Sequence, residues 1–366
     1  MVRMFKRIAA AALSVALLGT LAVGERTSST AEAASSALRA QVQKVKVGSK
    51  TYSVQTVKIP KGTNVTVGLA NRQVGQVDNF SSIVKTYKAD AAINGAFFEA
   101  YGGPPDPYGN LIIEGRVAHV TRNGTTIGFM KDGRAIMDHL HMSISGTVAG
   151  KDGRKKSWYV TFLNRTPGEN VNMSIMYTPD RGPRVGSKGG IAVVVRNGKV
   201  VKREVNNNIS IPRDGYVIVY FGTEKSSADR FEVGAVVEKV IGYKDMNGKE
   251  IPWENVQTAV GAGPRLVKDS KVALNAAVEG FKDPKILTAS GTRSGIAIMP
   301  DGSVMLATVS SATMSQWAGI MQKLGAKQAM NLDGGASSAM YGGGKTVTEA
   351  GRKLSNTLVF GTNVTK

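Results

Sequence analysis

The stretch TMSQWAGIMQKLGAKQAMNLDGGASS, residues 313–338, predicts one helix, one strand and a glycine-rich polar loop. Thr313 is a preferred N-cap residue, and apolar residues then recur with helical spacing at Trp317, Ile320, Met321 and Leu324. Gly325 is typical of a helix end, and residues 329–332 have the character of a short buried strand. This stretch therefore predicts a helix that packs beside a strand.

The loop after that strand is the most informative segment for function. It runs Asn331-Leu-Asp333-Gly334-Gly335-Ala-Ser337-Ser338, so a carboxylate, an amide and two hydroxyls lie next to two glycines. Glycine lets the backbone approach a ligand closely, which favours a binding site. An Asp-Gly turn in a hairpin explains the same residues equally well.

A second helix and strand end in a similar way near the N-terminus. Residues 78–88 predict a helix capped by Asp78, and residues 91–94 predict a buried strand that ends at Asn94 and Gly95. Phe97, Phe98 and Glu99 follow. The aromatic rings could belong to the core or could stack on a sugar ring, and the two strand ends could converge on one pocket.

Most of the remaining chain predicts strands. Residues 52–59 and 64–69 alternate in polarity, and residues 111–240 contain repeated Asn-Gly and Asp-Gly pairs that indicate turns. These pairs, with one more near the C-terminus, are Asn123-Gly124, Asp132-Gly133, Asp152-Gly153, Asn197-Gly198, Asp214-Gly215 and Asp301-Gly302. The middle of the chain is therefore predicted to be β-rich.

Composition sets limits on the chemistry. The 366 residues include 47 basic and 27 acidic side chains, which give a net charge of +20 and attraction to polyanions. The basic residues are dispersed, and no nucleic-acid-binding signature appears, so a specific nucleic-acid partner is not expected. Cysteine is absent, which excludes disulfides, thiolate metal sites and cysteine nucleophiles.

The first 33 residues predict a secretory signal. Arg3, Lys6 and Arg7 precede an uncharged run over 8–23, and Ala31-Glu-Ala33 fits a cleavage site. An uncleaved anchor is the alternative, but the run is short for a bilayer, and no later stretch is apolar enough to span one. Cleavage leaves a net charge of +18, a polar lead-in over 34–50 and one domain over 51–366. We expect a secreted or wall-associated bacterial protein with anionic wall polymers as partners.

Three short motifs suggest other chemistry. Residues 339–346 fit a relaxed phosphate-binding loop, and residues 335–339 resemble a nucleophile elbow with Ser337 as the attacking group. Both motifs require a following helix, which the sequence does not predict. His139 and His141 share one face of a predicted strand beside Asp138, but two ligands are a weak metal signal.

Several ordered blocks together resemble the phosphodiester glycosidase family. They lie over roughly residues 50–362 and are Asn94-Gly-Ala-Phe-Phe98, Tyr177-Thr178-Pro179, Ile211-Pro-Arg-Asp-Gly-Tyr216, Gly261-Ala-Gly-Pro264-Arg-Leu266, Thr292-Arg293, Leu324-Gly325-Ala326 and Asn331-Leu-Asp-Gly-Gly335. The resemblance implies an α+β fold, with β-rich mixed sheets and a few short helices. It also implies hydrolysis of a sugar–phosphate diester.

The resemblance supplies positions, and the residue types suggest roles. Asp333 is the candidate catalytic carboxylate, and Arg293 is expected to bind the phosphate through two parallel hydrogen bonds. The predicted substrate-binding residues are Asn94, Gly95, Phe97, Glu99, Asn331, Gly334, Gly335, Ser337, Ser338, Thr178 and Gly263. No cofactor is certain, although Asp333 and Glu99 could ligate a divalent cation. The alternative is a non-catalytic envelope module that binds anionic wall polymers through charge.

Overall fold

The fold is built mainly from β-strands. A computed structural model describes residues 38–121, 124–150 and 152–364, with 47% strand and 12% helix. The β-rich α+β fold predicted from the sequence is confirmed. The predicted signal segment over 1–33 lies outside the described residues.

A seven-stranded antiparallel sheet carries part of the candidate site. Strands are numbered along the chain, and their order across this sheet is β1 (Ala40–Val47), β2 (Lys50–Ile59), β21 (Val304–Ala312), β20 (Gly291–Ile298), β22 (Gln328–Asn331), β18 (Arg265–Lys268) and β19 (Lys271–Val272). β1 falls within the predicted polar lead-in. It forms because Val45 is buried while its polar neighbours are exposed at the sheet edge.

An eight-stranded sheet occupies the middle of the chain. Its order is β10 (Lys155–Val160), β9 (His141–Ala149), β16 (Val236–Lys244), β14 (Lys199–Asn207), β13 (Lys188–Arg196), β15 (Gly215–Phe221), β12 (Met173–Tyr177) and β11 (Phe162–Leu163). Only β11 and β12 pair in parallel among the described strands. Asp214-Gly215, predicted as a hairpin turn, instead leads into β15, which pairs with β13 and β12 rather than with β14.

The described residues also form two five-stranded sheets and three α-helices. One sheet has the order β6 (Arg116–His119), β5 (Leu111–Ile113), β17 (Val256–Gly261), β7 (Thr126–Met130) and β8 (Ala135–Asp138). The other has the order β24 (Lys345–Thr348), β23 (Met340–Gly342), β4 (Ala91–Asn94), β25 (Asn356–Phe360) and β3 (Val65–Leu69). The helices are α1 (Phe80–Thr86), α2 (Pro284–Leu287) and α3 (Met314–Lys323).

The sheets share their cores because side chains on a strand alternate between its two faces. On β5, Leu111 and Ile113 join a core with the seven-stranded and C-terminal five-stranded sheets. Ile112 points the other way, into a core shared with the eight-stranded sheet. This double burial explains why β5 consists of three consecutive apolar residues.

The helix α3 forms as its sequence predicts. Thr313 caps it through a reciprocal capping box with Gln316, and Gly325 follows its end with a positive φ of 84°. Its buried Trp317 and Ile320 pack with Met305 of β21. The helix thereby covers the face of the seven-stranded sheet that carries the Met305 side chain.

One local prediction is corrected, and one motif is resolved. The N-cap of α1 is Asn79 rather than Asp78, whose carboxylate accepts a hydrogen bond from the Asn79 N–H. The segment 339–346, which fits a relaxed phosphate-binding motif, is largely the hairpin of β23 and β24. A hairpin offers no helix N-terminus to a phosphate group, in agreement with the absence of a predicted helix after this motif.

None of the helices within 38–121, 124–150 and 152–364 is long and apolar enough to cross a bilayer.

Candidate active site

The ends of β4 and β22 meet, and each is followed by one of the two glycine-containing polar segments identified in the sequence. The Asp333 N–H donates to the Gly95 carbonyl oxygen at 3.1 Å, which joins the chain after β22 to the chain after β4. The Asn94 side-chain Nδ2 donates to the Asp333 carbonyl oxygen at 2.6 Å, and its Oδ1 accepts from the Ala339 N–H at 3.0 Å. These bonds fix the backbone on both sides of the Asp333 loop.

Glycine is required where these segments approach each other. At Gly95 a Cβ would collide with the side chain of Asn356, and at Gly334 it would lie 3.0 Å from the Thr292 carbonyl oxygen. The two positions therefore let the Asp333 loop lie directly against its neighbours. This close packing accounts for glycine at both positions. A contact between Gly95 and a ligand is not needed to explain it.

A cavity of about 540 Å³ opens beside the Asp333 loop. This volume lies within the usual range of small-molecule sites. Its polar and aromatic lining comes from four separate segments of the chain and includes Phe97, Phe98, Tyr101, Tyr108, Phe281, Asp283, Lys285, Ser290, Thr292, Arg293, Asn331, Asp333, Ser337 and Arg352. The cavity thus combines aromatic surface with three cations and two carboxylates.

Asp333 is the cavity carboxylate with the most perturbed ionisation. Burial raises the pKa of Asp333 to about 7. Hydrogen bonds from the Ser337 hydroxyl and the Gly334 N–H oppose this effect, as does the charge of Arg352. A carboxyl with this pKa exchanges its proton near neutral pH, which is the property expected of a group in acid–base catalysis.

Arg293 presents a buried positive charge to the same cavity. It is 5% exposed, and burial lowers the pKa of its guanidinium. Its Nε donates to the Ala312 carbonyl oxygen at 2.9 Å, and its Nη2 donates to the carbonyl oxygens of Lys285 and Ala289. Arg293 forms no ion pair with any carboxylate in the described segments, so its charge is available to an anion. Because Nε and Nη2 already donate to carbonyl groups, Nη1 is left to bind that anion, and the two parallel hydrogen bonds predicted from the sequence do not fit this arrangement.

Aromatic and cationic groups lie side by side in the cavity lining. The rings of Phe97 and Phe281 lie 5.9 Å apart, tilted by 57°. The Lys285 ammonium and the Arg352 guanidinium lie 5.5 Å and 4.8 Å from the Tyr101 ring centroid. Arg352 also donates to the Tyr101 hydroxyl at 3.1 Å. The lining is therefore both aromatic and positively charged.

The structure brings seven of the predicted site residues to this cavity. Those that line it are Asp333, Arg293, Phe97, Asn331, Gly334, Gly335 and Ser337. Asn331 is 1% exposed, its Nδ2 donates to the Gly263 and Leu332 carbonyl oxygens, and its Oδ1 has no protein partner. The orphaned oxygen is an acceptor that a ligand hydroxyl could satisfy.

Four other predicted residues lie next to the cavity without lining it. Asn94 and Gly95 hold the Asp333 loop through the bonds described above. The Gly263 carbonyl orients the Asn331 amide, and Ser338 is buried with a hydroxyl that has no partner. Asn94, Gly95 and Gly263 therefore hold groups that line the cavity, whereas the Ser338 side chain makes no hydrogen bond to them.

Glu99 and Thr178 lie outside the cavity lining. The Glu99 carboxylate accepts from the Tyr108 hydroxyl at 2.6 Å and the Tyr101 N–H at 2.9 Å, and it lines a neighbouring cavity. The Tyr108 hydroxyl lowers the pKa of Glu99. Thr178 lines a separate cavity described below. Glu99 therefore does not share the cavity with Asp333 as a second metal ligand.

The histidines do not complete either motif suggested by the sequence. The His139 and His141 Nε2 atoms lie 3.2 Å apart, so the two rings contact each other. Within the described ranges, no group of three or more histidine and acidic side chains could hold a metal ion. The cavity lining contains no histidine among the described residues, so Ser337 has no imidazole partner there.

Sequence reasoning missed the segment around α2. Phe281, Asp283 and Lys285 all line the cavity, and Arg293 donates to the carbonyl oxygen of Lys285. The Asp283 side chain caps α2, and Pro284 occupies its first turn. This Asp-Pro pair is a helix-start signal that the sequence offered. Its proximity to Asp333 depends on long-range packing and has no local signal.

Comparisons with known proteins agree with the fold. A hypothetical protein from Synechocystis is similar over 88% of this chain and 61% of its own, with 23% identity and a TM-score of 0.74. A Burkholderia pseudomallei protein described as a putative exported protein is similar over 85% of this chain and 74% of its own, with 23% identity and a TM-score of 0.69. This chain thus spans less than two thirds of the Synechocystis protein.

A third structure is the zebrafish N-acetylglucosamine-1-phosphodiester alpha-N-acetylglucosaminidase catalytic domain. It aligns over 88% of this chain and 82% of its own, with 12% identity and a TM-score of 0.47. No curated protein matches in sequence. Residues 189–361 match the sequence profile of the phosphodiester glycosidase family, and this range includes Arg293 and the Asp333 loop. Over residues 189–361, the resemblance to the phosphodiester glycosidase family that the sequence motifs indicate is confirmed.

Proposed function

We propose that this protein hydrolyses a sugar-1-phosphate diester in the cavity that holds Asp333 and Arg293. The observation that carries the proposal is the buried guanidinium of Arg293, which faces the cavity without a carboxylate partner. A phosphate group would supply the missing counter-charge. The family match over 189–361 supports a hydrolase that acts on phosphodiesters.

The proposed reaction uses one water molecule. The bond between the anomeric carbon of the sugar and the phosphate oxygen breaks, water supplies a hydroxyl group to that carbon, and the remaining proton of the water is released to solvent. The phosphate oxygen keeps the bonding electrons, and the products are a free sugar and a phosphomonoester. Because a phosphate ester leaves readily, less protonation of the leaving group is needed than in ordinary glycoside hydrolysis.

Each side chain has a role in this reaction that follows from its place in the cavity. Ionised Asp333 directs the water or stabilises the positive charge that develops on the sugar. Arg293 binds the phosphate and the negative charge left on it after cleavage. Phe97 and Phe281 offer aromatic surface to the sugar ring, and the Asn331 Oδ1 accepts from a sugar hydroxyl.

A substrate panel tests this proposal directly. The protein should release free sugar and a phosphomonoester in equal amounts from at least one of several sugar-1-phosphodiesters, measured by chromatography of both products. Sugar glycosides that lack phosphate should remain intact. Release of sugar from phosphate-free glycosides at the same rate would contradict the role of Arg293.

The pH dependence of the reaction reports the state of Asp333. Because burial raises the pKa of Asp333 to about 7, this group is largely protonated below that value. If its ionised form is active, kcat/KM should rise with pH and level off above about 7. The measurement is a pH–rate profile under dilute substrate. A profile that falls through the same range would assign Asp333 the role of general acid.

The charge of the chain supports a second, separable activity at the cell surface. We infer that an exported protein of net charge +18 associates with anionic wall polymers and is secreted or wall-associated. The same charge supports the alternative of a non-catalytic binding module. The two functions differ in their need for Asp333, because turnover requires its carboxylate and charge-driven binding does not.

Polymer binding should depend strongly on salt. Because the charge is spread over the chain, affinity for a teichoic acid or another phosphate polymer should fall steeply as screening shortens to about 3 Å at 1 M salt. Co-sedimentation across a salt series measures this effect. Binding that is insensitive to salt would contradict a diffuse electrostatic mode.

A further inference from the structure

A second cavity lies at the eight-stranded sheet. Its volume is about 510 Å³, and it shares no lining residue with the cavity that holds Asp333. Thr178, which the sequence analysis predicted to bind substrate, lines this cavity instead. None of the proposed catalytic residues takes part in it.

Strands from both halves of the eight-stranded sheet line this second cavity. Ile144 and Ile241 come from the adjacent β9 and β16, whereas Leu163 and Met176 come from β11 and β12 at the far edge of the sheet. The sheet must therefore curl to bring these strands to one space. The open mouth of a curled sheet is a common place for a ligand.

The floor of the second cavity is apolar. Val117 of β6 joins Ile144, Leu163 and Met176 there, and all four side chains are buried in one core cluster. A fully hydrated ion gains nothing from such a surface. An aliphatic group would gain about 25 cal/mol for each Å² of apolar surface removed from water.

The wall of the second cavity is positively charged. Arg72, Arg116, Arg213 and Lys239 line it together with a single carboxylate, that of Asp180. Asp180 already accepts from the Thr178 hydroxyl at 3.2 Å and lies 3.6 Å from Arg116. Arg213 and Lys239 form no ion pair with any described residue, so two cations remain available to an anion.

Tyr216 gives the cavity an unused polar group. This residue is 9% exposed, lines the cavity, and carries a buried hydroxyl that has no hydrogen-bond partner in the described structure. Its ring lies 5.4 Å from the Lys239 ammonium. Burial raises the pKa of Tyr216 to about 12, so the hydroxyl stays protonated and can donate. A buried donor without a partner is costly, and a bound acceptor would remove that cost.

We propose that this second cavity binds an amphiphilic anion, with its aliphatic part on the apolar floor and its phosphate or carboxylate head between Lys239, Arg213 and the Tyr216 hydroxyl. The apolar floor, the two cations and the buried Tyr216 hydroxyl together match the two halves of an amphiphilic anion. A hydrated inorganic anion leaves the floor unused, and a neutral apolar molecule leaves the cations and the donor unused.

Octyl phosphate is a suitable probe because its short chain allows work below the concentration at which it forms micelles. Isothermal titration of the full mature chain should show saturable binding of one octyl phosphate per chain at this cavity. Octanol and inorganic phosphate should each bind at least about 10-fold more weakly, because each lacks one half of the ligand.

Matched variants assign the site. Tyr216→Phe and Lys239→Met should each weaken octyl phosphate binding by about 3- to 10-fold, since each removes one polar contact to the head. Tyr159→Phe and Lys188→Met alter exposed side chains of the same sheet and should leave binding unchanged. Thermal melts of all four variants should lie at or above that of the parent chain, with Tyr216→Phe relieved of its unpartnered hydroxyl, which separates loss of binding from loss of folding.

Three results would overturn the proposal. One is unchanged binding of octyl phosphate by both Tyr216→Phe and Lys239→Met. Another is equal affinity for octanol or for inorganic phosphate, because the proposal requires both halves of the ligand. The third is loss of binding in Arg293→Lys with no effect of Tyr216→Phe, which would place the probe in the first cavity.

Discussion

Asp333→Asn is expected to lower kcat for a sugar-1-phosphodiester by about 100-fold or more. The substitution keeps the size of the side chain and its ability to accept from the Gly334 N–H. It removes the negative charge that would activate water or stabilise a cationic transition state. Steady-state release of the phosphomonoester measures the loss.

The same variant should fold normally. The pKa of Asp333 is about 7 in the folded chain and near 4 in an unfolded chain, so between these values the folded state holds more protons. Stability therefore decreases as pH rises from about 4 to about 7, because the buried carboxyl resists ionisation. An asparagine never ionises, and the variant should have a Tm equal to or above that of the parent at about pH 8.

Asp283→Asn is the matched control, since Asp283 is the other carboxylate that lines the cavity. Its side chain is exposed and caps α2 by accepting from the Lys285 N–H at 2.8 Å. Asparagine is an equally good cap, so activity should change little. Near-normal hydrolysis by Asp333→Asn would make Asp333 a turn residue and direct the search to Asp283 in the cavity lining and to Glu99 in the neighbouring cavity.

Arg293→Lys is the second substitution with a large expected effect. An ammonium keeps the positive charge but lacks the planar guanidinium, whose Nε and Nη2 hold three carbonyl groups while Nη1 stays free for a phosphate oxygen. We expect kcat/KM to fall on the order of 100-fold, through weaker phosphate binding and weaker stabilisation of the leaving group. Steady-state kinetics measures the effects on phosphate binding and on leaving-group stabilisation. The substrates compared should differ only in the group bonded to the far side of the phosphate.

Arg293 also holds three backbone carbonyl groups, so stability has to be measured beside activity. Its guanidinium donates to Ala312, Lys285 and Ala289, and lysine cannot satisfy all three acceptors. The expected loss is roughly 1–3 kcal/mol of unfolding free energy, visible as a lower Tm. Arg352→Lys in the cavity lining is the control, and it should change activity far less. Full activity of Arg293→Lys would contradict phosphate recognition by this side chain.

Much of the local structure follows from short-range patterns. Thr313 and Gly325 mark the two ends of α3, because capping and positive φ are properties of a few adjacent residues. The hairpin at Asp301-Gly302 and the strand ending at Asn94 were predicted for the same reason. The failed hairpin at Asp214-Gly215 shows the limit, since the partner of β15 is set by long-range packing.

The sequence by itself determined the β-rich fold, the loop that carries Asp333 and the resemblance that singles out Arg293. Only the tertiary structure decided what those groups can do. Burial raises the pKa of Asp333, and Arg293 keeps an unpaired charge because it forms no ion pair with a described carboxylate. Both properties depend on which distant segments pack around the two side chains. Thr178 lies in another cavity for the same reason, because a cavity is formed by segments that are far apart along the chain.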